Sequence, residues 1–365
     1  MKSPKAPRVI SLFSGCGGLD LGFKKAGFEI VWANDIDKHA VETYRRNLGD
    51  EIVLKDMRAV DENELPSADV LIAGFPCQPF SSAGKRRGVK DERGSLFKEC
   101  FRVIDAKKPK VVLFENVRGL LSIHSGKLVK NILKLFDARG YSVRYELVNA
   151  REYGVPQNRH RLFMIAFKKG TTFSFPDKVV GKNLNLGAVL ASVPKSLPNQ
   201  EAMPLPPQIE KIVRFIPEGG SWKNIPTEEL PERLLRIRKN IRRYKSPNFM
   251  RRFALTETAG TMTASATPEN SGILHPLEDR RFTVRECAAI QSFPNDFVFY
   301  GPIREQYKQI GNAVPPLLAE RLAKAIMNSL LGDSAGVERA LHKKGVLFSA
   351  KPVNGARIPG SRTRR

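Results

Sequence analysis

The sequence of 365 residues lacks the features expected of a membrane or secreted protein. No apolar run reaches the roughly 18–20 residues that a membrane span needs, and the N-terminus carries no apolar core of a secretion signal. There are only four cysteines, and their spacing is not that of metal ligands. We therefore expect a cytoplasmic protein with no metal site and with free thiols at Cys16, Cys77, Cys100 and Cys287.

Acidic residues are scarce relative to basic ones. Lys and Arg number 61 against 37 Asp and Glu, which gives a net charge of +24. Such a surplus is unfavourable self-repulsion unless a polyanion offsets it, and nucleic acid is the usual partner. The charged surface of a heat-adapted protein is the alternative, but it would carry Glu in proportion to Lys. Charge alone does not choose between DNA and RNA.

Internal repeats and heptads are also absent, and the first 170 residues instead alternate between strand and helix patterns. Short apolar runs predict strands at 8–13, 29–33, 69–73, 110–114, 144–148 and 161–166. Helical spacing predicts helices at 19–26, 37–47 and 95–106. Alternation of this kind favours the α/β class, with a doubly wound, mostly parallel sheet.

The composition changes near Phe175-Pro176, where prolines begin to cluster and apolar periodicity fades. Residues 233–252 carry nine Lys and Arg and no acid. Helical periodicity returns at 283–291 and 316–331. We therefore predict a first domain from 1–170 plus 281–333, a second, smaller domain at 171–280, and a basic, disordered tail at 334–365.

A glycine-rich turn follows the first predicted strand, at Phe13-Ser-Gly-Cys-Gly-Gly18. Glycines let a ligand approach the backbone at a helix N-terminus. Asp35 ends the second strand about 20 residues on, where an acid binds ribose hydroxyls, and Asp56 is at the end of a third. These features predict a nucleoside-cofactor site. Asp20 breaks the G-x-G-x-x-G pattern, which weighs against a dinucleotide.

Cys77 directly follows Pro76 after the strand at 69–73. Proline stiffens a turn, and strand ends of open α/β sheets are where reacting groups lie. We therefore predict a nucleophilic thiolate at Cys77, with the basic segment 81–88 as a loop that closes over a polyanion. The alternative is a small buried side chain, which we expect for the other three cysteines.

Three later motifs carry polar groups. Glu115, at the end of the strand 110–114, could be held protonated by an apolar wall and act as an acid, or could be an ordinary cap or surface residue. Gln157, Arg159 and Arg161 alternate, so they face one side of a strand. They would bind an acceptor-rich group there, or form a solvated edge. Asn312 lies in a Gly-containing turn that could reach a cofactor.

These segments, in this order, resemble the DNA (cytosine-5) methyltransferase family, prokaryotic restriction–modification type. The resemblance covers roughly 1–168 and 280–330. It rests on the Phe13–Gly18 turn, Gly74-Phe-Pro-Cys-Gln-Pro-Phe-Ser81, Glu115-Asn-Val117, Gln157-x-Arg-x-Arg161, Arg281-Phe-Thr-Val-Arg-Glu286 and Gly311-Asn-x-Val-Pro315. It implies a Rossmann-like S-adenosylmethionine-dependent fold, with the variable, basic region 171–280 as the target-recognition domain.

The resemblance also implies a mechanism and the residues that carry it. Cys77 would add to C6 of a flipped-out cytosine, Glu115 would protonate or hydrogen bond N3, and Arg161 would bind the 2-oxo group, while Arg159 would position Cys77 or the backbone. S-adenosylmethionine would be held by Phe13, Gly15, Cys16, Gly18, Asp35, Ile36, Asp56, Met57, Pro76, Leu96 and Asn312. Ile36 stands where many members carry an aromatic residue. DNA contacts would come from Gln78, Ser81, Lys85, Arg86, Arg93, Gln157, Arg251, Arg252, Thr261 and Thr263.

The leading hypothesis is therefore a monomeric enzyme that acts on double-stranded DNA, with a cognate restriction endonuclease in the same system. A tRNA cytosine methyltransferase of the same family is an alternative, although that subgroup usually has a shorter recognition part. A catalytically idle DNA-binding regulator is a second alternative, but the cysteine and the glutamate are both present. A nicotinamide enzyme is a third, disfavoured by the broken glycine pattern and by the charge.

Overall fold

A computed structural model describes residues 5–76, 96–179, 184–239, 248–268 and 272–332. Predictions for the tail at 334–365 and for the segment 77–95 lie outside these residues. That segment contains the proposed nucleophile and five of the proposed DNA contacts, namely Cys77, Gln78, Ser81, Lys85, Arg86 and Arg93.

A single seven-stranded sheet organises the first half of the chain. Its strands are β1 (Arg8–Leu12), β2 (Glu29–Asp35), β3 (Ile52–Leu54), β4 (Val70–Ala73), β5 (Val111–Val117), β6 (Tyr141–Asn149) and β7 (His160–Lys168). Their spatial order is β3-β2-β1-β4-β5-β7-β6. The first five strands are parallel, and β7 runs antiparallel to both of its neighbours. The predicted α/β class with a mostly parallel sheet is confirmed.

Ten helices lie in the described residues. They are α1 (Gly18–Lys25), α2 (Lys38–Asn47), α3 (Leu96–Lys107), α4 (Lys127–Asp137), α5 (Leu186–Ala191), α6 (Pro207–Val213), α7 (Glu232–Lys239), α8 (Val284–Ile290), α9 (Ile303–Asn312) and α10 (Pro316–Gly332). Of these, α1, α2 and α10 pack on one face of the sheet and α3 and α4 on the other, while α5–α9 pack elsewhere. Short 3₁₀ turns lie at Met57–Ala59, Arg118–Gly126, Ala150–Tyr153, Trp222–Asn224 and Thr227–Glu229. Within the described ranges, no helix is long and apolar enough to cross a bilayer.

Each sheet face has its own apolar core. Phe23 of α1, Tyr44 of α2 and Leu322 of α10 pack on one face, while Phe101 of α3 and Phe136 of α4 pack on the other. Burial on both faces explains why the parallel strands read as continuous apolar runs. Because the C-terminal helix α10 packs against α1, the two ends of the described chain belong to one structural unit.

The region predicted as a second domain packs in two parts. One apolar cluster is formed by residues of 205–250 together with Leu274. Leu186, Ala259 and Met262 instead pack with Phe282 and other residues of 282–310 in a different cluster. Part of 171–280 thus packs against the C-terminal segment of the predicted first domain, and the domain boundary stays a prediction.

The structure differs from one local expectation and adds one helix that was not expected. The Gly311-Asn312 turn is instead the last turn of α9, which ends at Asn312. Gly311 is required there because a Cβ would collide with the backbone of Thr263 and Ala264. The helix α4 was not predicted, although its apolar residues Val129, Ile132 and Phe136 have helical spacing.

Candidate active site

The predicted site residues collect at one edge of the sheet. The chain winds from β1 to β2 and β3 in one direction and from β4 to β5 in the other, so the winding reverses between β1 and β4. Ligands of open α/β sheets bind at this point, outside the carboxyl ends of the strands. The glycine turn follows β1, Asp35 ends β2, Gly74 follows β4 and Glu115 lies near the end of β5.

The antiparallel direction of β7 brings a cation to the same edge. Glu115 is opposite Phe163, and Arg161 lies two residues before it, so the acid and the cation are diagonal neighbours on one sheet face. Arg161 Nε lies 3.1 Å from Glu115 Oε1. Both side chains are largely buried, so the sheet register, and not a mobile surface contact, sets this ion pair.

Burial decides the protonation behaviour of Glu115. Loss of solvent raises the pKa of its carboxyl above the ordinary value, while the charges of Arg161 and Arg159 oppose that rise. A glutamate with a raised pKa carries a proton more readily near neutral pH. Glu115 can therefore serve as a proton donor, and Arg161 stabilises the carboxylate that remains.

The segment that leads to Cys77 begins beside this pair. Asn116 donates a hydrogen bond from Nδ2 to the carbonyl oxygen of Phe75 at 3.0 Å. A Cβ on Gly74 would lie 3.7 Å from Glu115 Oε2. Phe75 packs edge-on against Phe114, with ring centroids 5.3 Å apart. The chain thus enters the proposed nucleophile turn from a fixed position next to Glu115.

The glycine turn after β1 is held by the end of β2. Phe13 N donates to Asn34 Oδ1 at 3.1 Å, and Gly15 N donates to Asp35 Oδ2 at 2.8 Å. Gly15 has φ of 56°, in the left-handed region, and nothing lies within 4 Å of where its Cβ would be. Burial raises the pKa of Asp35, and backbone N–H groups oppose that rise. The turn therefore leaves open space beside an acid.

The other proposed cofactor residues divide into two groups. Ile36 is 69% exposed beside Asp35, an unusual exposure for a large apolar side chain. Asn312 and Pro76 are also exposed, and Leu96 is half-buried. Other side chains are turned inward or paired within the protein. Cys16 and Met57 are buried, Gly18 packs against Ala313 and Val314, and the carboxylate of Asp56 pairs with Arg58 at 2.7 Å.

Gln157 and Arg159 are completely buried, and their partners are protein groups. Arg159 donates to three carbonyl oxygens, those of Met262 at 2.9 Å, Gly311 at 2.8 Å and Ala313 at 2.9 Å. Gln157 bonds to Gln291 and to Met262 N. Arg159 thus donates to backbone carbonyls, while Gln157 pairs with a side-chain amide and a backbone N–H. These two residues do not form a solvated edge.

A model of the C-5 cytosine-specific DNA methylase family matches residues 7–328. The chain belongs to this family. The likeness that the motifs indicated is thereby confirmed, and the enzyme transfers a methyl group from S-adenosylmethionine to C5 of cytosine in DNA.

Curated relatives and solved structures agree with this assignment. The chain is 37% identical over 361 residues to the type II methyltransferase M.NgoFVII of Neisseria gonorrhoeae, covering 95% of this chain and 94% of the relative. It is 36% identical over 350 residues to M.FnuDI of Fusobacterium nucleatum, covering 92% and 98%. A solved Escherichia coli structure, described as a prophage-encoded DNA modification methyltransferase, shares 26% identity and a TM-score of 0.65, covering 89% and 100%.

In this methyltransferase, the two described arginines that were proposed to contact DNA, Arg251 and Arg252, have internal partners. Arg251 pairs with Glu257 at 2.6 Å and lies over the Phe253 ring. Arg252 is buried and donates to His275 O at 2.9 Å and to Glu278 O at 2.8 Å. These hydrogen bonds stabilise the framework of the recognition region and occupy donors that a base edge would need.

The two threonines lie closer to the surface. Thr261 and Thr263 are half-buried on either side of the buried Met262. Thr261 Oγ1 donates to Asn158 O at 2.7 Å, and Thr263 Oγ1 is 3.3 Å from Ser265 Oγ. A threonine hydroxyl can both donate and accept hydrogen bonds.

Sequence reasoning missed three residues that support the site. Asn34 holds the glycine turn, Asn116 holds Phe75, and Gln291 joins Gln157. Asn34 and Asn116 directly adjoin Asp35 and Glu115 at strand ends, which is a usable signal. For Gln291 the only signal in the sequence was its position directly after an apolar helix.

The free cysteines Cys16, Cys100 and Cys287 are buried, as expected, and burial raises their pKa.

Asp20 is a buried acid beneath the glycine turn. Its oxygens accept hydrogen bonds from Ser11 Oγ and Tyr44 OH, both at 3.0 Å. Burial raises its pKa to about 7, against an ordinary value of about 3.9 in an unfolded chain. Between those values the folded state keeps a proton that the unfolded state has lost. The free energy of unfolding should therefore fall as pH rises from about 4 to 7.

We expect Asp20→Asn to remove this pH dependence. Relative to the unaltered protein, the variant should gain on the order of 1–3 kcal/mol of unfolding free energy between pH 5 and pH 8. Urea unfolding of both proteins at the two pH values measures the difference. Equal differences at both pH values would show that Asp20 does not titrate in this range.

Proposed function

We propose that this methyltransferase modifies one cytosine within a specific duplex DNA sequence, with Cys77 as nucleophile and Glu115 as proton donor. The observation that carries the proposal is the buried Glu115–Arg161 ion pair, located beside the segment that leads into Cys77. Cytosine C5 is too weakly nucleophilic to accept a methyl group unaided, so addition at C6 must come first.

The proposed roles follow from the chemistry of each group. The Cys77 thiolate forms a bond to C6, and the displaced electron density reaches N3, where Glu115 supplies a proton. Arg161, fixed by the same ion pair, donates to the 2-oxo group and stabilises the negative charge that develops there. After C5 has received the methyl group it loses its proton to water, the C6–sulfur bond breaks, and the proton on N3 returns to Glu115.

The glycine turn fits S-adenosylmethionine, which supplies the electrophilic methyl group when bound. The open space beside Gly15 admits a ligand at the backbone. Asp35 would accept hydrogen bonds from the ribose hydroxyls, and the exposed Ile36 would cover an adenine face. Asn312 and Pro76 would line the remaining side. Cys16 and Met57, whose side chains are buried, would contribute through their backbone.

The recognition function is assigned to residues 171–280, with the exposed basic side of α7 meeting phosphate. C5 and C6 are hidden in a duplex, so the target base must be flipped out. The segment 79–95 is proposed to close behind it. Thr261 and Thr263 remain candidates for contacts with DNA, whereas Arg251, Arg252 and Gln157 are better explained as supports of this region.

Binding to DNA should weaken steeply with salt because basic residues displace counterions from phosphate. With six or more phosphate contacts, affinity is expected to fall by about 10³-fold or more between 50 and 200 mM salt. Lys239→Ala, at the exposed end of α7, should reduce the slope of the logarithmic plot by about 1. Lys25→Ala, at the end of α1 away from the site, is the matched control. A flat salt response would contradict the assignment of the basic surface.

The curated relatives are type II methyltransferases, which supports a role as the modification half of a restriction–modification system. A cognate endonuclease, a cytoplasmic location and a monomeric state belong to the same proposal.

Expression in a bacterial host without cytosine-5 methylation, followed by bisulfite sequencing of its DNA and RNA, tests the function. We expect 5-methylcytosine at one DNA sequence. Methylation of tRNA alone would support the RNA alternative, and no methylation would support the idle binder.

A further inference from the structure

Gln291 is a buried amide at the end of α8 that the proposed chemistry does not use. Its side chain is completely buried. Its Oε1 accepts a hydrogen bond from Gln157 Nε2 at 2.5 Å. Its Nε2 donates to Ala313 O at 2.7 Å and to Ile310 O at 3.2 Å. Gln291 therefore joins the segment that precedes β7 to the end of α9.

Gln157 extends this connection to the recognition region. Its Oε1 accepts from Met262 N at 3.1 Å, and Arg159 donates to the oxygen of the same residue. Both polar groups of the Met262 backbone are thus held by buried side chains. Two further bonds fasten the neighbouring residues, from Asn158 N to Ala259 O and from Thr261 Oγ1 to Asn158 O.

Amide chemistry explains why two glutamines occupy these positions. Each amide both donates and accepts, so the pair connects a backbone N–H at Met262 with backbone carbonyls at Ile310 and Ala313. A buried amide that loses one partner leaves polar groups unsatisfied, so the pair permits one arrangement of three segments. Apolar packing alone would allow small shifts of Met262.

Met262 is the residue between the two threonines that remain candidates for DNA contacts. When the backbone N and O of a residue are both held, the residues on either side of it have little freedom of direction. The position of Thr261 and Thr263 relative to the substrate-side residue Arg161 therefore depends on Gln157, and Gln157 in turn depends on Gln291.

We propose that Gln291 is a positioning residue for target specificity. It acts through Gln157 to hold Thr261-Met262-Thr263 in a fixed position relative to β7, and it contacts neither DNA nor cofactor. This inference rests on the proposed function, because it requires that the threonine segment meets DNA near the target cytosine.

The test is the sequence selectivity of Gln291→Met, which keeps the side-chain length and removes the hydrogen bonds. Bisulfite sequencing of plasmid DNA from expressing cells gives the extent of methylation at the principal site and at sites that differ by one base pair. We expect the ratio of principal to near-site methylation to fall by at least about tenfold. Gln157→Met should have the same effect, and the double variant should add little to either one.

Gln309→Met is the matched control. Gln309, in α9, is a buried glutamine like Gln291. Its Nε2 donates to Tyr300 O at 2.9 Å, away from the threonine segment. A loss of folded enzyme lowers methylation at all sites together and leaves the ratio unchanged, as expected for this control. An unchanged ratio in Gln291→Met, with the unaltered enzyme selective, would overturn the inference. Failure of the unaltered enzyme to methylate DNA would instead overturn the proposed function.

Discussion

Glu115→Gln is expected to lower kcat for DNA methylation by about 10²–10⁴-fold while the protein stays folded. Glutamine keeps the shape of the side chain and its ability to donate a hydrogen bond, but it has no proton to transfer to N3. It also leaves Arg161, 3.1 Å away in the native ion pair, without a buried anion. Single-turnover methylation, with saturating enzyme in excess over the DNA, measures the chemical step directly.

Glu146→Gln is the control for this variant. Glu146 lies on β6 opposite Phe163, the same β7 residue that faces Glu115 from the other side. It is half-buried on the same row of the sheet but one strand beyond Arg161. Its substitution should change kcat by less than about threefold. If Glu115→Gln were no slower than this control, Glu115 would not be the proton donor.

Cys77→Ser is expected to abolish methyl transfer, by about 10⁴-fold or more, and to leave DNA affinity within about threefold of the unaltered enzyme. A serine hydroxyl is a much poorer nucleophile than a thiolate near neutral pH, because its proton is not lost there. Methylation rates and DNA binding, measured on the same preparation, separate the two effects.

Cys100→Ala is the matched change at another cysteine. The Cys100 thiol is buried in α3, and burial raises its pKa, so it is not available as a nucleophile. This variant should retain methyl transfer, with some loss of stability from the smaller side chain. Activity in Cys77→Ser comparable with that of Cys100→Ala would contradict the assignment of Cys77.

Secondary-structure elements were predicted correctly where a local run of apolar residues identifies them. The apolar runs at 8–13, 69–73 and 110–114 became β1, β4 and β5, because strands buried on both faces are apolar throughout. The reversal of β7 was not predictable, since hydrophobic pattern does not encode strand direction. That reversal is what places Arg161 beside Glu115.

Site residues could be predicted where they follow strands, but their partners could not. Asp35 and Glu115 stand at strand ends in the sequence and in the fold. The family resemblance implies DNA contacts for Arg252 and Gln157, yet both are buried and hydrogen bonded to backbone groups. Whether an arginine faces solvent or a buried carbonyl depends on tertiary packing, which a single sequence does not display.

The most direct test of covalent catalysis by Cys77 uses duplex DNA with 5-fluorocytosine at the methylated position, incubated with the enzyme and S-adenosylmethionine. Fluorine at C5 prevents the final elimination, so the enzyme should remain attached to the base. We predict a denaturant-stable protein–DNA adduct whose attachment maps to Cys77, which forms more slowly in Glu115→Gln and is absent in Cys77→Ala. An adduct that persists in Cys77→Ala, or none with DNA that the unaltered enzyme methylates, would contradict the account.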